Sequence, residues 1–245
     1  MPAPSLRHWL GIELVEVSPL EKAVAALGGG LSMLILVLTA SWVLPGEGAS
    51  CVIASMGASA VLLFGVPHGS LSQPWPVVAG HLISAVIGVT CARHVSQPHL
   101  AAACAVGLSI AVMQQLRCIH PPGGATAFTA VMGGQAVHEL GYQFVLMPVL
   151  ANALLMVLLA VMINFAFRWR RYPAVLSRPR VPLPTAPANA PLTHTHAEVV
   201  AALRALDSFV DISEEDLLRL VDLISQPGGA AVSRSASGSS ARGER

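Results

Sequence analysis

Charged residues are scarce in this 245-residue sequence, of which only 11% are Asp, Glu, Lys or Arg. A soluble domain carries about 25% charged residues. Between Ala23 and Phe167 there are only four: Glu47, Arg93, Arg117 and Glu139. A stretch with so little charge could not keep a surface in water, so we predict that it faces lipid.

Three further absences narrow the classes of function. The net charge is only +1, which gives no sign of a nucleic-acid partner. The four cysteines match neither a disulfide framework nor a zinc site, and we expect no metal and no cofactor. The apolar block has no paired carboxylates for acid–base chemistry. We therefore do not expect an enzyme.

Long apolar runs fill the charge-poor block, and two shorter runs between them are rich in glycine and alanine. We predict an all-α, polytopic membrane protein with four transmembrane helices, two re-entrant half-helices and a short soluble helical tail. The predicted spans are Ala23–Leu44, Pro76–Ala92, Ala101–Leu116 and Phe144–Phe167, and the short segments are Ala49–Val66 and Gly123–Gly134.

The two short segments resemble each other, which indicates two internal repeats. Gly57-Ala58-Ser59-Ala60 matches Gly124-Ala125-Thr126-Ala127 at an offset of 67 residues. Transporter folds commonly contain such repeats, with short interrupted segments near the binding site. The alternatives are chance similarity and simple close packing of small residues between membrane helices.

Basic residues set the predicted orientation. Five arginines follow the last apolar run, which places that end in the cytoplasm, and Arg7 and Lys22 weakly place the N-terminus there too. Both ends on one side require an even number of spans. The nine residues from Gly57 to Gly65 cover about 13 Å, half a bilayer, which favours four spans over six. We predict a multi-pass protein of the bacterial inner membrane.

Composition divides the chain into five parts. Residues 1–22 form an N-terminal cytoplasmic segment and residues 23–172 the transmembrane domain. A proline-rich linker covers residues 173–196, an amphipathic helical tail residues 197–226, and a disordered C-terminus residues 227–245.

The most specific local pattern runs from Arg117 to Thr126. We expect its two prolines to end the preceding helix, its two glycines to form a tight turn, and a half-helix to start near Gly124. Such a start offers free N–H groups to an anion, and the matching segment near Gly57 does the same from the other half. Arg117 and His120 would add positive charge. The predicted substrate-binding residues are Gly57, Ala58, Ser59, Arg117, His120, Gly123, Gly124, Ala125 and Thr126.

Two polar residues inside the apolar runs are weaker candidates. His81 is a candidate for proton coupling near neutral pH, or it hydrogen-bonds a carbonyl group of a neighbouring helix. Asn152 lines a pathway or makes an interhelical hydrogen bond.

These residues resemble the HPP family of integral membrane proteins, which is named after a His-Pro-Pro motif. The resemblance extends from Ala23 to Pro173 and implies four spans. Plant and cyanobacterial relatives are associated with nitrite transport, so the resemblance favours nitrite as substrate. The main matching motifs are His120-Pro121-Pro122-Gly123-Gly124-Ala125-Thr126, Gly57-Ala58-Ser59-Ala60, Gln73-Pro74-Trp75, Gly80-His81-Leu82 and Arg171-Tyr172-Pro173.

We therefore predict a transporter or channel for a small inorganic anion, with nitrite favoured, that contacts the lipid bilayer and is a candidate homo-oligomer. The alternative is a membrane-anchored sensor or scaffold whose cytoplasmic tail recruits a partner. The amphipathic tail favours this alternative.

Overall fold

A computed structural model of the chain describes residues 17–43 and 47–176. From Ser18 onward these residues belong to one compact unit. The predicted helical tail (197–226) and disordered C-terminus (227–245) lie outside the described residues, as do most of the N-terminal segment (1–22) and of the linker (173–196). The alternative function, which depends on the tail, therefore stays a prediction.

The described residues are all helical and contain no strand, as predicted. A π-helical segment, Val61–Gly65, continues the second helix, and another, Val145–Leu150, precedes the last. Single 3-10 turns lie at Ser70–Ser72 and Ala174–Leu176. The helices are α1 (Pro19–Val43), α2 (Glu47–Ala60), α3 (Pro74–His94), α4 (Pro98–Gln115), α5 (Pro121–Met132), α6 (Gln135–Leu140) and α7 (Ala151–Phe165).

Three stretches of helix in the described residues are long and apolar enough to cross a membrane: Pro19–Thr39, Pro74–His94 and Val145–Phe165. Large apolar side chains cover their outward faces; Leu27 of α1, for example, is 74% exposed. The fourth predicted span corresponds to α4, which has 18 residues and a length of about 27 Å but is not among these three. The four-span topology stays a prediction.

The two short segments differ in length, and one prediction about them is wrong. α2 begins at Glu47, well before Gly57, and continues through the π-helical segment to Gly65. No helix starts near Gly57, because the polar and small residues ahead of it form the first turns of the same helix. α5 has 12 residues and measures about 18 Å. Its length is that of the predicted half-helix, and the apolar stretch of the helix through Gly57 covers only Ala54–Gly65, which is also shorter than a membrane span.

α5 starts earlier than predicted. The preceding helix already ends at Gln115, and the chain turns before it reaches the prolines. Pro121 is the first residue of α5, with His120 as its N-cap. Proline is favoured at this position because its ring presets the helical φ and its missing N–H would have no partner there. The prolines thus begin a helix rather than end one.

Glycines allow α3 and α5 to cross with their backbones in direct contact. A Cβ atom on Gly123 would lie 2.8 Å from the carbonyl oxygen of Gly80 and 2.9 Å from Ser84 Oγ. One on Gly88 would lie 2.6 Å from Ala130 Cβ. Positions 80, 84 and 88 share one face of α3, and small residues at this spacing bring membrane helices close together. The crossing holds His81 of α3 beside α5.

The last apolar run is interrupted rather than continuous. Met147 has an extended backbone (φ −130°, ψ 117°) between two helical stretches, and Pro148 follows it. A residue that precedes proline is disfavoured in the α conformation, which accounts for the position of the break. The predicted single helix from Phe144 to Phe167 is therefore a short helical segment, a break and α7. Broken helices of this kind are common in transporters.

Candidate functional site

Four buried polar side chains meet where α2, α3 and α5 pack together: Ser59, His81, His120 and Thr126. The Oγ atom of Ser59 lies 2.8 Å from His81 Nε2 and 2.9 Å from His120 Nε2. Thr126 Oγ1 lies 2.7 Å from the other ring nitrogen of His81, Nδ1. None of the four residues is more than 1% exposed. We name this group the histidine cluster.

The two hydroxyl groups of the histidine cluster come from matching positions of the predicted repeat. Ser59 lies in α2 and Thr126 in α5, 67 residues later. Each donates or accepts a hydrogen bond at His81, so the two matching segments both contact this side chain. Neither histidine aligns with a histidine in the other half. The predicted repeat therefore covers the hydroxyl groups of the cluster and not its ionisable groups.

A backbone carbonyl group fixes the direction of the hydrogen bonds. His120 Nδ1 lies 2.9 Å from the carbonyl oxygen of Leu71, which can only accept, so Nδ1 carries a hydrogen. In a neutral ring, His120 Nε2 is then an acceptor, and the Ser59 hydroxyl donates to it at 2.9 Å in preference to the more distant carbonyl oxygen of Ser55, at 3.3 Å. Ser59 in turn accepts from His81 Nε2–H, and Thr126 donates to His81 Nδ1. The neutral cluster is one chain of four hydrogen bonds running from Thr126 to Leu71.

The ring nitrogens of the histidine cluster are all engaged. His81 uses both nitrogens on hydroxyl groups, and His120 uses one on Ser59 and one on a carbonyl group. Within residues 17–43 and 47–176, no three His, Cys, Asp or Glu side chains lie close enough together to hold a metal ion. The arrangement suits proton exchange between a neutral and a charged imidazole.

The helix termini do not offer the predicted backbone donors. Pro121 and Pro122 have no N–H group, and the N–H of Gly123 donates to the carbonyl oxygen of His120 at 2.8 Å. Gly57 lies inside α2, where backbone N–H groups bond along the helix. The structure therefore contradicts the predicted pair of converging helix N-termini. Hydroxyl groups and imidazoles occupy the place where we had expected backbone amides.

Several predicted site residues lie outside the cluster. Ala58 and Ala125, which match in the repeat, are both exposed. A Cβ atom on Gly57 would touch only Met33, at 3.8 Å, and one on Gly124 only Val106, at 4.0 Å. Gly123 contributes through the helix crossing and not through a donor group. Ser59, His120 and Thr126 are the three predicted binding residues that the fold brings together, with His81 between them.

Arg117 has a local structural role. It is exposed and adopts a left-handed backbone conformation with a φ of 53° at the end of α4. Its N–H donates to the carbonyl oxygen of Gln114 at 3.2 Å, and the N–H of Cys118 donates to that of Met113 at 2.9 Å. These two bonds close the last turn of α4 as a Schellman cap does. Arg117 thus turns the chain toward α5 and lies outside the buried cluster.

Asn152 occupies a buried position near the start of α7. The side chain is 7% exposed, and its Nδ2 atom has no hydrogen-bond partner. No hydrogen bond of the histidine cluster involves it. Its assignment to a pathway stays a prediction.

A second buried polar group, which we did not predict, surrounds Arg170 beyond the end of α7. Its guanidinium pairs with Glu21 of α1 and donates to Asn164 Oδ1 at 3.1 Å and to the carbonyl oxygen of Phe64. Trp169 Nε1–H donates to Glu21 at 2.9 Å. Burial lowers the pKa of Arg170 to about 10, which leaves it charged at neutral pH. We name Glu21, Asn164, Trp169 and Arg170 the arginine cluster.

The arginine cluster caps the end of the helix that carries Ser59. The carbonyl groups of Leu63 and Phe64, at the end of the π-helical segment, accept from Asn164 and Arg170 respectively. A buried carbonyl group without such a donor is costly in apolar surroundings. An acid at the start of one span and an arginine beyond the end of another are ordinary flanking residues. The sequence pattern therefore carried no signal for this pair.

Comparisons with known proteins agree on a membrane family. The family model described as HPP, transmembrane region, matches residues 15–173. A transmembrane protein of Dictyostelium discoideum is 43% identical over 126 residues, which is 50% of this chain and 44% of that protein. A second from the same organism is 40% identical over 126 residues, 50% of this chain and 40% of that protein. The chain thus spans less than half the length of these relatives. No solved structure matches.

Proposed function

The chain belongs to the HPP family of integral membrane proteins, and from this premise we propose that it transports a small inorganic anion, with nitrite as the favoured substrate. The histidine cluster is the observation that carries the proposal. Four polar side chains lie buried in the interior of a unit whose outward faces are apolar. We propose a transporter or channel, and not an enzyme.

The energetic cost of the histidine cluster supports a functional role. Burying a polar group is unfavourable unless it is hydrogen-bonded, and apolar side chains of similar volume would fill the same space without that requirement. Ionisable residues inside membrane proteins are rare and commonly line substrate or ion pathways. Close packing of α3 and α5 does not require two imidazoles that share one hydroxyl group, because the glycines of these helices already allow that packing.

The charge that the cluster can acquire supports an anion as substrate. A protonated imidazole is a cation, and it lowers the free-energy cost of moving an anion from water to a site beside it. In the described part of the chain, His81 and His120 are the ionisable members of the cluster. They, and not Arg117, would therefore supply the positive charge. Nitrite is the first substrate to test because the family resemblance favours it.

The orientation and location of the protein are further parts of the proposal. The arginines that follow α7 support a cytoplasmic C-terminus by the positive-inside rule, and we propose the same side for the N-terminus. We also propose a bacterial inner membrane and four spans, with α2 and α5 both re-entrant. The matched relatives come from a eukaryote, so they do not bear on the bacterial location. Assembly into a homo-oligomer is likewise a proposal.

Uptake of nitrite by proteoliposomes tests the function. The full-length protein would be reconstituted and nitrite uptake followed at neutral and mildly acidic pH, with uptake by protein-free liposomes subtracted at each pH to remove the contribution of membrane-permeant nitrous acid. We expect His120→Gln and His81→Gln to reduce uptake by about ten- to hundredfold, because a hydrogen bond to a charged group contributes about 1.5–3 kcal/mol. The matched control is His99→Gln, which changes an exposed histidine and should leave uptake unchanged.

The outcomes separate the parts of this proposal. Nitrite uptake no faster than in protein-free liposomes, with chloride and nitrate also excluded, would contradict anion transport. Uptake of chloride or nitrate in place of nitrite would keep anion transport and replace the substrate. Uptake that is unchanged in both cluster variants would show that the histidine cluster is not part of the transport pathway.

A further inference from the structure

We propose that the histidine cluster binds one excess proton and passes it between His81 and His120 through the hydroxyl group of Ser59. The proposal rests on the proposed function in one respect, namely that this proton accompanies the anion. The binding and movement of the proton follow from the geometry of the cluster and are testable without any transport assay.

Both imidazoles direct their Nε2 atoms to the Oγ atom of Ser59. Their Nε2 atoms lie 2.8 Å and 2.9 Å from Ser59 Oγ, which are ordinary hydrogen-bond distances. The ring centroids are 5.0 Å apart, with an angle of 67° between the ring planes. This edge-on arrangement directs both rings to Ser59 without stacking them. A proton can therefore pass from one ring to the other with a single hydroxyl group between them.

The cluster has room for one additional hydrogen. In the neutral chain, Thr126 donates to His81 Nδ1. When His81 is protonated, Nδ1–H donates to Thr126, whose hydroxyl then turns to the carbonyl oxygen of Pro122, 3.4 Å away. Ser59 and His120 keep their hydrogen bonds unchanged. Every polar hydrogen of the charged cluster thus still has an acceptor, which an apolar interior requires.

The transfer step is balanced in atoms and electrons. The Nε2–H bond of His81 breaks, and its proton bonds to a lone pair of Ser59 Oγ. The original hydrogen of Ser59 leaves for the lone pair of His120 Nε2. Ser59 ends with one hydrogen, now directed at His81, and the positive charge has moved to His120. Nδ1–H of His120 still donates to the carbonyl oxygen of Leu71.

The surroundings favour one proton and not two. Two imidazolium rings with centroids 5.0 Å apart would repel each other strongly where water is excluded. Arg93 and His94 are exposed at the end of α3, and the buried titratable groups nearby do not offset this repulsion either. Cys91 and Cys118 lie in separate apolar clusters. The Tyr172 hydroxyl donates to the carbonyl oxygen of Ser72, and the charge of Glu21 is neutralised by Arg170.

Nitrogen NMR of the full-length protein in lipid bilayers tests the relay. With ¹⁵N-labelled histidine rings, assigned through His81→Gln and His120→Gln, the neutral protein should show opposite tautomers. His120 should carry its hydrogen on Nδ1 and His81 on Nε2. On acidification, one imidazolium per chain should appear, exchanging between the two rings.

Three variants make the test specific. Ser59→Ala should slow the exchange between the rings by about 100-fold or more, since a positioned proton-transfer group contributes about 10²–10⁴-fold. Ser59→Thr retains a hydroxyl group and should retain the exchange. Ser109→Ala also removes a buried serine hydroxyl that bonds one turn back, in α4, and should change nothing. If Ser59→Ala does not fold, Thr126→Val still discriminates: both rings should keep their tautomers, which Leu71 and Ser59 set, whereas the imidazolium should form only at lower pH because Nδ1–H of a charged His81 loses its acceptor.

Several results would overturn the relay. These are equal tautomers at His81 and His120, protonation of both rings in one step, or exchange that Ser59→Ala leaves unchanged. Failure of transport is distinguishable from failure of the relay. NMR as expected without nitrite uptake would contradict the transport proposal alone, and nitrite uptake without shared-proton signals would contradict the relay alone.

Discussion

Replacing Gly123 by alanine tests the close crossing of α3 and α5, which brings His81 and Thr126 together. The added Cβ atom would lie 2.8 Å from a backbone carbonyl oxygen and 2.9 Å from Ser84 Oγ. Contacts below 3.0 Å require one of the atoms to move, and the carbonyl oxygen of Gly80 belongs to the backbone of α3. The helices must therefore separate slightly or tilt.

The next residue provides a matched control. Gly124 lies in the same helix, and a Cβ atom on it would meet only a methyl group of Val106, at 4.0 Å. Both substitutions gain the same helix propensity, about 0.5–1 kcal/mol, so this gain cancels in the comparison. What remains is the cost of overpacking at Gly123, typically about 1–3 kcal/mol. We expect Gly123→Ala to be less stable than Gly124→Ala by that amount.

Unfolding in mixed micelles measures this difference as a free energy. The two variants and the wild-type protein would be titrated with denaturing detergent and unfolding followed by circular dichroism. Gly124→Ala should be as stable as the wild type or slightly more stable. Equal stability of the two variants would refute the backbone contact between α3 and α5. It would also leave the position of His81 beside Thr126 without its structural cause.

The same unfolding assay checks three further expectations. Arg170→Met should destabilise by about 3–5 kcal/mol, because it leaves Glu21 buried without its partner, whereas Arg168→Met removes an exposed arginine and should change little; equal effects would contradict the buried ion pair. Gly88→Ala should be less stable than Gly107→Ala, since the first Cβ would meet Ala130 at 2.6 Å and the second nothing within 4 Å. Tyr172→Phe should cost about 1 kcal/mol through the lost bond to Ser72. Burial raises the pKa of Tyr172, so its contribution is complete below the ordinary value of about 10 and is lost progressively as the pH rises above that value. Stability should therefore fall more steeply above this pH in the wild type than in Tyr172→Phe.

The approach of Ser59 and Thr126 to one site could be anticipated from sequence because both residues lie in the same local pattern. A short run of small residues recurs at a fixed offset, and a hydroxyl group stands at the same place in each copy. His120 could be anticipated as well, since it adjoins the interrupted backbone at the start of α5. The membrane character followed from charge alone.

The chemistry of the site could not be anticipated in full, because it depends on contacts between distant residues. Gly-Ala runs mark helix starts and helix contacts equally well, so the position of Gly57 inside α2 was not distinguishable from a helix start. The role of Gly123 depends on Gly80, 43 positions earlier in the chain, and neither residue has a side chain to reveal it. The tautomer of His120 depends on a backbone carbonyl group, which no sequence pattern encodes.

The crossing of α3 and α5 limits how this protein can move. With their backbones in contact, these helices are expected to move as one rigid body that carries His81, His120 and Thr126. Ser59 belongs to α2, outside that body. A motion that parts α2 from the pair would break the two hydrogen bonds between Ser59 and the histidines and spare the one between His81 and Thr126. Opening the site would thus interrupt the proton path, and closing it would restore the path, without any further moving part.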